Sequence, residues 1–261
     1  MLAHFAMRLV FGICLMLCLM PRDKVPSAFF RILMLVVLGL SVLATVAGVN
    51  VPRVSISGTD VWFLRFNAVF APVLAGLSFL GSIAWAIERR TVGMKILATT
   101  TVVASLGLWG TSHSVVGLLN RPLLATGGFV RLSQFVSATT LGAAVTAMLL
   151  GHRYLTVPGM PLDPLLRMNL FLGLATVTRF VVSVCWLKSF NGSLHGATPT
   201  WLALRWLAGI IGPAVVVVMV HRILKYKNTQ AATGVLFVGV ILTFIGELTA
   251  DLLFREVGVP L

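Results

Sequence analysis

Four ionisable side chains stand inside stretches that are otherwise apolar, and they are the clearest candidates for chemical function in the chain. Glu247 and Asp251 lie four positions apart in the apolar run 231–254. On a helix they share one face, one turn apart. Arg179 lies in the middle of another apolar run, and Arg205 stands near the start of a third. Charged groups are costly in hydrocarbon, so they usually face other helices and mark ion, proton or ligand sites.

The depths of these charges predict which of them meet. Arg179 lies about fifteen residues into its run and Glu247 about sixteen, so at 1.5 Å per residue both lie roughly 22–24 Å from the side where their helices start. Arg205 and Asp251 both lie near the opposite side. We therefore expect an Arg179–Glu247 ion pair inside a cluster of four charges. A structural network that locks helices together and a proton-linked site facing the outer side both remain open.

The histidines are the other candidates for chemistry. A haem held by two histidines needs two neutral imidazoles that face each other at the same depth. His4 and His113 match in depth near the outer side, and His152 and His221 match near the inner side. All four stand at the edges of the apolar runs, so we predict no haem bound through the chain's own histidines. His113 precedes an Arg121-Pro122 loop, and a neutral imidazole there can hydrogen-bond a quinone carbonyl or pass a proton.

Metal and nucleophile chemistry finds no support in the sequence. Cys14, Cys18 and Cys185 lie inside apolar runs, and no neighbouring pair of histidines or cysteines completes a metal site. We interpret them as small buried hydrophobic residues. No HExxH or GxSxG motif is present. We predict no catalytic residue and no metal on this chain.

The composition sets the class of protein that must position these residues. The chain is 58% hydrophobic and only 10% charged, with a mean hydropathy of +1.01, whereas a soluble domain has about 25% charged residues. We predict an all-α, polytopic integral membrane helical bundle that forms one transmembrane domain over 1–261. Eight stretches are long enough to cross about 30 Å of hydrocarbon. They span 2–20, 29–50, 63–87, 94–117, 129–151, 165–187, 200–224 and 231–254.

The distribution of basic residues predicts the orientation. The connections after the first, third, fifth and seventh runs carry the denser clusters of Lys and Arg, so we place them in the cytoplasm and both termini outside. The excess of 20 basic over 7 acidic residues then fits topology and contact with anionic membrane lipids rather than nucleic acid. The three longest connections, 51–62, 118–128 and 188–199, lie outside, where a partner would dock.

Three segments resemble a known family of membrane subunits. The first is Ser112-His113 followed by Arg121-Pro122, which resembles a span end with a histidine before an Arg-Pro loop. The second is 151–161, GHRYLTVPGMP, which is similar to the connection between the fifth and sixth spans of that family. The third is 246–248, GEL, followed by LF at 253–254. Together they cover about a quarter of the chain and resemble the eight-span membrane anchor of the dimethyl sulfoxide reductase or polysulfide reductase type.

This resemblance implies a function and partners. The chain would be a non-catalytic membrane-anchor subunit of a respiratory redox complex in the bacterial inner membrane. It would bind quinone near the outer leaflet, without a haem of its own, and pass electrons to an iron–sulfur or cytochrome subunit outside. The quinone and proton candidates are His113, Arg179, Arg205, Glu247 and Asp251. Two alternatives remain: a structural or assembly subunit with no redox site, and a small-solute or ion transporter that uses the same charges.

Overall fold

The computed structural model describes residues 2–49, 58–117, 127–157, 159–188 and 198–257. Within these ranges, no side chain is described for 49, 58–65, 112–117, 127, 186, 188, 198 or 255–257. The described residues are helical almost throughout and contain no strand, which confirms the predicted all-α class. Apolar chains favour this outcome because a helix satisfies its backbone N–H and C=O groups within one segment.

Nine α-helices and one π-helical segment follow one another in the described part of the chain. They are α1 Leu2–Leu19, α2 Ser27–Val49, α3 Gly58–Ala86, α4 Arg90–Gly117, α5 Gly127–Thr156, α6 Asp163–Lys188, α7 Thr198–Trp206, the π segment Leu207–Ile211, α8 Gly212–Lys225 and α9 Thr229–Val257. They provide eight helical stretches long and apolar enough to cross a membrane. This number matches the eight predicted apolar stretches and is what an integral membrane protein requires.

The seventh span is not one regular helix. It consists of α7, the π segment and α8, and the Gly212 N–H donates to the carbonyl of Leu207, five residues back. Pro213 follows at the start of α8. Because proline has no N–H, it cannot donate to the carbonyl four residues earlier, and the regular α-helical ladder is interrupted at this point. Single π-helical turns inside α-helices occur frequently at functional sites.

The chain divides into two compact units, Met1–Gly142 and Ala143–Leu261. The prediction of one transmembrane domain over 1–261 stays a prediction. In the first unit, α1 packs against α2, α4 and the first half of α5. A Cβ atom on Gly12 would lie 1.9 Å from the carbonyl oxygen of Ala138, so α1 and α5 touch backbone to backbone. Small residues permit such close helix approach, which is a common basis of helix association in membranes.

The second unit holds α6 to α9 and the second half of α5. Asn169 on α6 donates through Nδ2 to the carbonyl of Val217 on α8 at 3.0 Å. Gly151 on α5 lies against Thr233 on α9. The helix α9 packs against α7, the π segment and α8. This unit therefore assembles the three helices that carry Arg179, Arg205, Glu247 and Asp251.

Candidate functional site

Arg179 and Glu247 form the ion pair that the sequence predicts. Arg179 lies in the middle of α6 and is 2% exposed, and Glu247 lies in the second half of α9 and is 1% exposed. The Nε atom of Arg179 donates to Oε1 of Glu247 at 3.1 Å, and its Nη2 atom donates to Oε2, also at 3.1 Å. This is the bidentate geometry in which a guanidinium group binds a carboxylate most specifically. The predicted pairing is confirmed.

Arg205 joins the same carboxylate. It lies in the last turn of α7, is 0% exposed, and donates from Nη1 to Oε1 of Glu247 at 3.2 Å. In the sequence, the depth of Arg205 matches that of Asp251, which lies one turn after Glu247 on α9. Asp251 lies partly exposed on the same face of α9 as Glu247, and the ion pair that the structure shows for Arg205 is with Glu247. The four predicted charges therefore belong to one cluster, centred on Glu247.

The hydrogen bonds from Arg179 and Arg205 to Glu247 stabilise the folded second unit. Each joins a charged donor to a charged acceptor, and bonds of this kind are roughly twice as strong as those between neutral groups. Two guanidinium groups that converge on one buried carboxylate also stabilise its ionised form. Removal of one partner from a buried pair typically costs about 3–5 kcal/mol, because the other charge stays behind without compensation. Glu247 therefore acts as a fixed counter-ion that ties α6 and α7 to α9.

Two glycines allow Arg205 to reach this position, and sequence reasoning missed both. A Cβ atom on Gly246 would lie 2.1 Å from the Cα atom of Gly209, so α9 and the π segment touch backbone to backbone. A Cβ atom on Gly209 would lie 2.5 Å from Nη1 of Arg205. The guanidinium group occupies space that only a glycine leaves free. The available signal was the position of Gly246 directly before Glu247, since small residues mark close helix crossings in membranes.

Arg205 uses only part of its hydrogen-bonding capacity. Its Nε and Nη2 atoms are buried and have no acceptor among the described residues. These two atoms form the same edge of the guanidinium group that Arg179 presents to Glu247. The formal charges of Arg179, Arg205, Glu247 and Asp251 sum to zero when all four are ionised. The cluster therefore combines overall neutrality with two unused, buried donors.

The structure describes the side chains of only some of the candidate histidines. His113 stands in α4, but its side chain lies outside the described part, as do Arg121 and Pro122, so its proposed role stays a prediction. His152 and His221 are exposed near the ends of α5 and α8. Among the described residues, no group of three or more His, Cys, Asp or Glu side chains is placed to hold a metal ion.

A third buried arginine, Arg8, is not among the site residues that the sequence predicts. Arg8 on α1 is buried, donates from Nη1 to the hydroxyl oxygen of Ser137 on α5 at 3.0 Å, and lies 5.7 Å from the centre of the Phe5 ring. In the sequence, an arginine near the start of an apolar run looks the same whether it sets the membrane topology or contacts another helix. Only the helix pairing reveals its contact with Ser137.

No known protein family, curated protein or solved structure matches the chain.

Proposed function

We propose that this chain is the membrane-anchor subunit of a respiratory redox complex and that its four-charge cluster belongs to a quinone site. The observation that carries the proposal is the buried Arg205 guanidinium group, which has two donors without an acceptor among the described residues, beside the ion-paired Glu247. A quinone carbonyl oxygen is a hydrogen-bond acceptor on an apolar molecule that dissolves in the membrane. A neutral cluster of charged side chains offers donors to that oxygen without adding net charge to an apolar interior.

Reduction or oxidation of a quinone also requires protons to be bound or released. Glu247 accepts hydrogen bonds from two arginines, so its carboxylate is held in a fixed position. Asp251 lies one turn further along α9, nearer the end of the span, and is partly exposed. In this proposal Arg205 binds the carbonyl oxygen, Glu247 holds Arg205 in place, and Asp251 exchanges protons with the outer side. His113 is the second proton candidate.

The proposed partners follow from the proposed orientation. With both termini outside, α9 and α6 end outside, so the cluster lies in the outer half of the bilayer. An iron–sulfur or cytochrome subunit docked on the outer connections would then receive the electrons. The three resembling segments, which include Glu247 itself, support the same assignment to an anchor of the dimethyl sulfoxide or polysulfide reductase type.

The direct experiment is purification of the tagged chain from the membranes of its native host, under conditions that retain associated proteins. The proposal expects quinone in the organic extract and companions that contain iron–sulfur clusters or cytochromes, seen in the visible spectrum and by mass spectrometry. A preparation with no redox companion and no quinone would overturn it.

One observation favours a transporter as the second candidate. The seventh span is interrupted by the π segment next to the charged cluster, and interrupted spans bind ions or solutes in many secondary transporters. Uptake or counterflow of a small ion or solute by the wild-type chain in reconstituted vesicles would favour this reading over the anchor.

A structural or assembly subunit is the third candidate. The three hydrogen bonds to Glu247 connect α6, α7 and α9, which is what a purely structural network would do. Under this reading, an apolar replacement of the whole network leaves the complex both assembled and active.

A further inference from the structure

The two guanidinium groups of the cluster have different tasks. We propose that the Nε/Nη2 edge of Arg205 is the ligand contact of the site and that it takes a neutral carbonyl oxygen rather than an anion. Arg179 is a positioning residue that orients Glu247. The inference rests on the proposed function, since it assigns the quinone carbonyl to one edge of one side chain.

The geometry of the two arginines separates their tasks. Arg179 directs its Nε and Nη2 atoms to the two oxygens of Glu247, 3.1 Å away in each case, so both donors on this edge of its guanidinium group have an acceptor. Arg205 reaches Glu247 with Nη1 alone, at 3.2 Å. Its own Nε and Nη2 atoms are fully buried and have no acceptor in the described part of the chain. Buried polar groups in proteins are nearly always paired, and an unpaired one calls for an explanation such as a ligand.

Charge balance selects the chemistry of that ligand. Arg179 and Arg205 contribute two positive charges, and Glu247 and Asp251 contribute two negative charges. Asp251 lies one turn after Glu247 on the same face of α9, so it belongs to this balance. A bound carboxylate or phosphate would add an uncompensated negative charge to an apolar surrounding, which is strongly unfavourable. A carbonyl oxygen has two lone pairs that accept from both donors and adds no charge.

The surroundings of Arg205 indicate how an apolar ligand would approach. Leu204 and Leu207, on either side of Arg205 in the sequence, are exposed apolar side chains, as is Ile211 at the end of the π segment. In a membrane these side chains face lipid. The ligand would come from the lipid phase, and its apolar tail would lie along these side chains. Because the Arg205 edge is closed to solvent here, entry requires local movement of the seventh span at the π segment, where the regular hydrogen-bond ladder is already interrupted.

The test compares two conservative variants of the purified full-length chain. Arg205→Lys keeps a positive charge for Glu247 but lacks the paired donors of the guanidinium edge. Arg222→Lys makes the same chemical change at an exposed position of α8 and serves as the control. Titration with decylubiquinone and with a short-chain menaquinone measures the dissociation constant. We expect Arg205→Lys to weaken binding of the preferred quinone about 10- to 100-fold, and Arg222→Lys to bind like the wild type.

A competitor separates the neutral ligand from the anion. Decanoate has an apolar tail and a carboxylate, and we expect it to displace the bound quinone poorly. Displacement by decanoate at concentrations equal to those of unlabelled quinone would contradict the neutral-carbonyl assignment.

The possible failures are distinguishable. If wild type and Arg205→Lys bind quinone equally, the inference is wrong and the proposed function survives. If the wild type binds neither quinone, both are wrong. If Arg205→Lys does not fold, the infrared carbonyl band of quinone bound to the wild type decides: a shift to lower frequency relative to detergent solution supports the strong hydrogen bond, and an unshifted band overturns it.

Discussion

Replacement of Glu247 by glutamine should destabilise the second unit strongly. The side chain keeps its size and one carbonyl oxygen but loses its negative charge. Arg179 and Arg205, which are 2% and 0% exposed, would then remain buried with their shared carboxylate removed. Breaking a buried ion pair by removal of one partner costs about 3–5 kcal/mol, and here two guanidinium groups lose their counter-ion together. A loss of 1 kcal/mol lowers the midpoint temperature of thermal unfolding by about 2–4 °C for chains of this size, so this midpoint should fall by about 6–20 °C.

Thermal unfolding in detergent with a thiol-reactive fluorescent dye measures this effect. Of the three cysteines interpreted as buried, only Cys14 is buried, whereas Cys18 is partly exposed and Cys185 is exposed. In a background with Cys18 and Cys185 replaced by alanine, Cys14 becomes reactive on unfolding and reports the transition. Glu88→Gln is the matched control, because it is the same chemical change at an exposed position and should leave the midpoint unchanged. A midpoint for Glu247→Gln within about 2 °C of the wild type would refute the reasoning, since it corresponds to less than about 1 kcal/mol.

The shared carboxylate also determines which compensating change works. Removal of only Arg179 and Glu247, by Arg179→Met with Glu247→Leu, would leave Arg205 buried without its partner. The triple variant that adds Arg205→Met removes the three charges that the hydrogen bonds join and leaves only the partly exposed Asp251. Buried ion networks replaced by apolar residues of similar volume are often as stable as the original. We expect the triple variant to unfold at a higher temperature than the double variant. The opposite order would show that Arg205 does not depend on Glu247.

Two further predictions concern helix packing and topology. Gly246→Ala should lower the unfolding midpoint, because its Cβ atom would lie 2.1 Å from the Cα atom of Gly209. The control is Gly234→Ala on the same helix, whose Cβ atom meets nothing within 4 Å and which should leave the midpoint unchanged or slightly higher. Equal midpoints for the two variants would rule out the backbone contact. Single cysteines placed at Lys24 and Lys227 should be protected from a membrane-impermeant thiol reagent in intact cells, because both lie in connections assigned to the cytoplasm; labelling of either one from outside would reverse the orientation.

The sequence predicts the number of spans well, because hydropathy and length alone decide which stretches can cross a bilayer. The pairing of Arg179 with Glu247 was predictable for a related reason: helix rise converts sequence position into depth, and a buried arginine needs an acid at its own depth.

The partner of Arg205 was not predictable in the same way. Depth matching pointed to Asp251, but the direction in which a side chain faces depends on the phase of its helix. In the seventh span the π segment, Leu207–Ile211, begins two residues after Arg205 and interrupts the regular periodicity. The contact between Gly209 and Gly246 then brings the two backbones together. Such lateral relations between helices are not contained in hydropathy or in single-residue spacing.

The most direct test of the central claim is the quinol-oxidising activity of the assembled complex that carries the triple variant Arg179→Met, Arg205→Met and Glu247→Leu. If the cluster binds quinone, the complex should assemble with its companion subunits at wild-type levels but lose nearly all electron transfer from quinol to acceptor. The fraction of assembled complex, measured by native gel, provides the reference for the activity. Activity per assembled complex equal to that of the wild type would contradict the account and leave the cluster a purely structural role.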